Sequence, residues 1–322
     1  MRSGRRSRRW SQIVLWGLSF VVALSMVLGY VIGPLSELIS STPTPASGAT
    51  PVRPTPTLQP AVTVATDTPL APQPSPVPQP EPTATPLPTP VTLDLGEQFT
   101  FAVCGDSRDG DEVFRRVLDA VSNDGSQFLL HLGDIVPNGR EKEWLAWQEL
   151  MTDFPLPFFP VPGNHDSPDG LLEEYLKYSG APAQRYSLDV GSVHFSMLDS
   201  YSSALFPSTL QWLEADLAST EQPVKMVFLH HPPFDPDGTD HILQMGNSEV
   251  MALAEKYGVQ YVMAGHIHAY EEEERDGTQY IITGGCGAPL YAGEHPEGGF
   301  NHYVRVRVDG TDVTTEVVKV ES

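Results

Sequence analysis

Between residues 34 and 92 the chain is dominated by Pro, Thr, Ala and Ser, carries almost no charge and shows no apolar periodicity. Such a stretch cannot bury enough apolar surface to offset the entropy of ordering it, so it reads as a disordered linker or stalk. Polyproline geometry at about 3.1 Å per residue bounds its reach at roughly 170 Å. A glycosylated, mucin-like version would stiffen the same spacer. Folding is thereby confined to residues 93–322, a plausible size for one α/β domain with a substantial core.

Ahead of the stalk, residues 13–33 are almost free of polar groups and long enough to span the roughly 30 Å of a bilayer core at about 1.5 Å per residue. They are expected to form a transmembrane anchor. Residues 1–12 hold Arg2, Arg5, Arg6, Arg8 and Arg9, and the positive-inside rule keeps such a tail in the cytoplasm. Everything after the span is then expected on the far side, at the cell surface or in a periplasm. A cleaved signal peptide is the alternative, and it too exports the domain.

Residues 93–322 carry 38 acidic and 13 basic residues. A surface of that sign repels nucleic acid and suits a protein that gathers cations. The glutamate run at 271–274 is expected to be a solvated strand face. Cys104 and Cys286 are the only cysteines. An exported setting permits a disulfide, but the sequence cannot show that the two meet, and a buried free thiol is the expectation for Cys104.

Strand-like and helix-like segments alternate. Strands are expected at 99–104, 128–132, 158–161, 225–230 and 261–264, with helices at 111–121, 141–151, 171–177 and 248–257 and another capped by Ser208. Two strands at 185–190 and 193–199 interrupt the alternation. Asp276-Gly277 and Asp309-Gly310 mark closing hairpins. The alternation predicts a largely parallel sheet over the first two-thirds of the domain.

In open α/β sheets, ligands bind beyond the carboxyl ends of strands. Five strand ends here are followed by "CGDSRDG", "LGDIVPNG", "PGNHD", "HHPP" and "GHIHAY". Carboxylate, amide oxygen and imidazole together suit Mn, Fe or Zn, and the absence of thiolates argues against a structural zinc site. The ligands outnumber what one ion needs, which points to a dinuclear centre with a bridging carboxylate. His131 and His194 lie inside strands and are expected to be structural.

These strings resemble the signature of the calcineurin-like metallophosphoesterases, the group that includes purple acid phosphatases and cyclic-nucleotide phosphodiesterases. "GDSR", "GDIVP", "GNHD", "HHP" and "GHIH" fall in the family's order over residues 105–268. The resemblance implies an αββα sandwich of two mixed sheets flanked by helices, and hydrolysis of phosphate mono- or diesters by hydroxide generated on two metal ions. It makes Asp134 the bridge, Asp106 and His268 ligands of one ion, and Asn164, His230 and His266 ligands of the other. His165 is expected to stand beside the metals and stabilise the phosphoryl group or protonate the leaving group, with Asp166 orienting it. His231 is expected next to the ligand His230, on the substrate side.

Two positions depart from the family pattern. Arg108 stands where many relatives have a histidine ligand, and Pro137 where purple acid phosphatases have a tyrosine. One metal therefore lacks a protein ligand. Arg108 is instead a candidate clamp for phosphate oxygens, as its planar fork suits them, and Asn138 is a candidate for the same duty. The substrate is expected to be a small phosphoester or a lipid headgroup, with loops 235–245 and 288–301 discriminating among them. The alternative is a catalytically silent domain that kept the fold and binds a partner at the surface.

Overall fold

Two sheets lie face to face, and the alternation of side chains along their central strands accounts for it. The computed structural model describes residues 89–321 apart from 168, 169 and 237. The expected basic tail, the anchor at 13–33 and most of the stalk lie outside the described residues. Among the described residues no helix is long and apolar enough to cross a membrane.

The first sheet runs in the order β1 (Val91–Leu93), β5 (Tyr186–Val190), β6 (Val193–Met197), β7 (Val224–Leu229), β8 (Tyr261–Ala264), β10 (Thr278–Thr283) and β9 (Tyr270–Arg275). The second is β12 (Asp312–Lys319), β11 (His302–Asp309), β2 (Gln98–Cys104), β3 (Leu129–His131) and β4 (Phe158–Pro160). Among the described residues the first strand, β1, starts at Val91 and pairs in parallel with β5. On β2 and β6 every second residue points between the sheets. There Phe101 meets Phe195 edge-on at 5.3 Å and Phe128 meets Phe195 at 5.9 Å, all three fully buried. Each such pair contributes about 0.5–1.5 kcal/mol beyond the area it buries.

Helices cover both outer faces. Phe114 and Val117 of α1 (Asp111–Asn123) and Trp144 and Trp147 of α2 (Glu141–Met151) join the core that includes the five-stranded sheet. A second cluster unites Leu213 and Leu217 of α4 (Pro207–Ser219) and Val250 and Ala254 of α5 (Asn247–Tyr257) with Val227, Leu229 and Val262. Helix α3 (Glu173–Tyr178) is the short element between β4 and β5. Helix α4 starts a residue before the expected cap: Phe206 holds the N-cap position and Pro207 the first turn, where its missing N–H costs nothing.

Over the first two-thirds of the domain the pairing is largely parallel, as expected, and the antiparallel partners make both sheets mixed. Helical crossovers do join parallel neighbours at β2/β3, β3/β4, β6/β7 and β7/β8. Tight hairpins reverse the chain at β5/β6, β9/β10 and β11/β12. At the second of these, Asp276 and Gly277 both take positive φ (51° and 79°), as a turn whose twist matches the strands demands. The glutamate run lies on β9, the outermost strand of its sheet, with Glu272, Glu273 and Glu274 exposed.

On the helix side of β6, His194 is buried between two carboxylates, 2.7 Å from Asp189 Oδ1 and 2.9 Å from Asp216 Oδ2. Ser196 donates to Asp216 at 2.6 Å and Ser187 donates to its other oxygen. Burial pulls the imidazole's pKa down, but Asp216 and Asp189 outweigh it and the net shift is upward. A pKa raised on folding stabilises fully below the unfolded value of about 6.5 and is lost as pH rises through the folded value. The thermal midpoint should therefore fall as pH rises above 6.5. In His194→Gln that slope should flatten and the low-pH midpoint drop, which differential scanning fluorimetry across pH 5.5–8.5 checks.

Candidate metal centre

The strand-end loops hold their functional residues in a backbone conformation that side chains rarely adopt. Asp106, Asp134 and His266 have φ of 62°, 56° and 68°. For aspartate the left-handed region is tolerable; for histidine it costs of order 1–2 kcal/mol. Three of the six candidate ligands thus sit where local preference opposes them, and strain of that kind clusters at functional sites. Space is as tight as the backbone. A Cβ on Gly265 or Gly284 would lie only 2.6 or 2.7 Å from Asp106 Oδ2, so glycine lets two loops close on that carboxylate.

The six candidate ligands converge. His230 Nε2 lies 3.0 Å from Asn164 Oδ1, 3.2 Å from His266 Nδ1 and 3.3 Å from Asp134 Oδ1. His268 Nε2 lies 3.5 Å from Asp106 Oδ1. Asp106, Asp134 and His230 offer ligand atoms within 4.8 Å of one another. Hydrogen bonds behind the rings decide which nitrogen faces inward. His230 Nδ1 donates to Leu132 O and His268 Nδ1 to Pro289 O, both at 2.7 Å, which leaves each Nε2 lone pair directed at the centre.

The electrostatics call for a cation. Asp106 and Asp134 are 0% and 1% exposed. Asp106 Oδ2 accepts the His266 N–H at 2.8 Å, but Oδ1 is buried with no hydrogen-bond partner among the described residues. Burial pushes this carboxyl up to about 6, against the lowering pull of His268. Burial also pulls His230 and His266 down, so both rings are neutral donors of lone pairs. Lone pairs facing one another at such distances repel unless a positive charge lies among them. A carboxylate, amide and imidazole set with an orphaned carboxylate oxygen fits hard or borderline metal ions.

Other expected residues fall into two groups. His165 does face the centre: its Nδ1 donates to Pro137 O at 2.6 Å and its Nε2 lies 3.9 Å from Asp134 Oδ2, with the ring a third exposed. Arg108 also reaches it, with Nε donating to Asp134 Oδ2 at 3.2 Å and Nη1 to Asp109 at 2.8 Å. Asp166 does not orient His165. Its carboxylate is fully buried and accepts the N–H groups of Ile135, Val136 and Gly163 at 2.8–3.1 Å, pinning the second motif loop to the third. The Pro137 carbonyl sets the His165 ring instead. Both nitrogens of His231 are engaged inside the protein, Nδ1 with Ser200 O at 2.7 Å and Nε2 with Ser203 Oγ at 2.8 Å. Its ring packs 4.0 Å from that of His266 and supports it. Asn138 is exposed, and both its backbone and side-chain N–H groups turn to Glu143.

Two residues at the rim were not singled out from sequence. His241 comes within 5.8 Å of the His266 ring and Tyr291 stacks on His268 at 4.5 Å. Both belong to the loops expected to discriminate substrates, at 235–245 and 288–301. No local string marks them, since they reach the centre only through tertiary packing.

Residues 99–270 match the family model for the calcineurin-like phosphoesterase domain. A probable glycerophosphodiester phosphodiesterase from Arcobacter nitrofigilis is 27% identical over 44% of this chain and 56% of its own length. A 3',5'-cyclic-nucleotide phosphodiesterase from a Nostoc species is 26% identical over 48% of this chain and 60% of its own length. The chain thus spans a little over half of these relatives. Among solved structures, a purple acid phosphatase from yellow lupin seeds shares the fold with a TM-score of 0.59 at 18% identity, over 72% of this chain and 53% of that one. A family match across more than half the residues, on an α/β fold of two mixed sheets with converging strand-end ligands, settles membership: the chain belongs to the calcineurin-like phosphoesterase family of hydrolases.

Proposed function

We propose that the domain is a metal-dependent phosphoesterase that hydrolyses small phosphate mono- or diesters, tethered to and displayed outside the cytoplasmic membrane. The observation that carries this reading is the convergence of six carboxylate, amide and imidazole donors on a pocket where Asp106 Oδ1 accepts no hydrogen bond and has the His268 ring 3.5 Å away. Asp106, Asp134 and His268 would hold one ion, and Asp134, Asn164, His230 and His266 the other. When bound, the ions supply positive charge against the phosphate oxygens and make a coordinated water acidic enough to serve as nucleophile near neutral pH.

The chain's own groups do the rest. Arg108 keeps guanidinium N–H groups beyond those on Asp134 and Asp109, and these are placed to take a non-bridging phosphate oxygen. His165 presents Nε2 to the centre while Nδ1–H is fixed on Pro137 O, and when the ring is doubly protonated the Nε2–H is the proton handed to the departing alkoxide. The Asp134 carboxylate accepts the His165 backbone N–H at 2.9 Å, which ties the proton donor's loop to the bridging ligand. Relatives named for glycerophosphodiesters and cyclic nucleotides favour small diesters as the first substrates to try.

For the location, the support is the arginine-rich start, the apolar stretch at 13–33 and the long, sparsely charged linker. A fusion reporter that fluoresces only in the cytoplasm, placed after residue 322, should stay dark, and signal there would reject export.

Purified protein stripped of metal and reloaded with Mn, Fe or Zn should hydrolyse a generic aryl phosphodiester or monoester. A chain that binds no metal and turns over neither would instead be the silent surface binder. Metal analysis separates the two halves of the centre: Asp134→Ala should lose both equivalents and His268→Ala one. His165→Ala should keep its metal yet lose about 10²–10⁴-fold in kcat, the range of a positioned proton donor. Arg108→Ala should raise KM with metal content unchanged.

A further inference from the structure

The two cysteines lie far apart in sequence and meet directly beneath the metal centre. Cys104 ends β2, two residues before Asp106, and Cys286 arrives on the glycine-rich loop after β10. The backbones are already paired there: Cys286 N–H donates to Gly105 O at 3.2 Å, and the Cys286 thiol donates to the same oxygen at 2.8 Å. The two sulfurs and a nitrogen of His131 lie within 4.8 Å of one another, with both thiols free and fully buried.

A metal ion is the first occupant to consider for such a trio, and the hydrogen bonds speak against it. His131 Nδ1 accepts the Gly133 N–H at 3.2 Å, so its proton is on Nε2. That proton goes to Ser107 Oγ at 3.1 Å, while Ser107 gives its own to Ile135 O at 3.3 Å. The ring thus has no lone pair left for a metal. Recruiting it would orphan the buried Gly133 N–H in the loop that carries Asp134. The cysteines are held only by the Cys286 S–H bond to Gly105 O and a 3.8 Å contact of the same sulfur with His131 Nε2.

We propose that Cys104 and Cys286 form a disulfide that staples the glycine-rich loop to the strand bearing Asp106. With the sulfurs within 4.8 Å and the backbones already paired, rotation of the Cys286 side chain away from Gly105 O is the movement the bond calls for. Since Gly284 of the same loop packs against Asp106 Oδ2, the bond fixes the floor of the metal centre. The oxidant is a small disulfide such as glutathione disulfide. One cysteine thiolate attacks it, forming a mixed disulfide and expelling one glutathione thiolate. The second cysteine thiolate then attacks the protein-side sulfur and expels the other, and the two protein thiol protons end on two glutathione thiols. Both sulfurs are inaccessible in the folded domain, so the exchange takes place during folding, before the sheets close.

The full-length chain, held in detergent, is unfolded in guanidinium and refolded either with glutathione disulfide or with reductant. Each sample is then denatured with chelator and a thiol-alkylating reagent and weighed. The oxidatively refolded chain should take up no label and weigh about 2 Da less than the unlabelled reduced chain, for two hydrogens lost, while the reduced sample carries two labels. Two labels on the oxidatively refolded chain, as free or metal-bound thiols would give, or a covalent dimer on a non-reducing gel, would overturn the proposal. The oxidised form should also melt about 10 °C higher, as expected for closing so long a loop, and equal midpoints would reject the staple. Reductant added to the native oxidised chain should leave the bond intact until the chain unfolds. Neither phosphoester hydrolysis nor export enters these measurements, so the disulfide can fail while the proposed function stands.

Discussion

Two carboxylates, Asp106 and Asp134, are buried at the carboxyl ends of adjacent strands where the chain supplies one guanidinium and a set of imidazoles. Burying charge is expensive unless it is paired, and most proteins avoid it. Here the surrounding structure enforces it. Left-handed backbone at both aspartates, glycines where a methyl group would collide, and ring nitrogens tied to backbone carbonyls all hold anionic and lone-pair donors in mutual opposition. The fold around the centre is intelligible as the scaffold that resists this repulsion until cations relieve it.

Asp166 shows how that resistance is built. Its carboxylate sits on no reacting atom, but it gathers three backbone N–H groups from two loops and so sets the distance between Asp134 and Asn164. Ser200 does the same on the other side, its Oγ accepting the backbone N–H groups of both His230 and His231. Ligand geometry thus rests on backbone clamps made by buried side chains of quite different chemistry. A residue in the middle of a catalytic motif can be entirely architectural.

The candidate ligands were legible in the sequence because each stands immediately after an apolar run, and the end of a strand is a local property that periodicity reveals. The roles of Asp166 and His231 were not, because adjacency in the chain says nothing about which atom a ring nitrogen or carboxylate meets. Asp166 follows His165 but turns back to the loop at 135–136, and His231 follows a ligand but spends both nitrogens on serines. The partner of β2 on its other side was hidden for a related reason. Alternating strands and helices announce parallel neighbours, whereas antiparallel pairing of β2 with β11 joins residues two hundred positions apart, and no local signal carries that. His241 and Tyr291 escaped notice because surface loops bring them in.

Strand β9 closes the larger sheet with a ladder edge that would ordinarily invite another strand. Its four consecutive glutamates put negative charge on both faces of that edge, so a second copy approaching side by side meets like charge before any backbone bond can form. Molecules at high concentration can therefore lie side by side without their sheets zipping into one another.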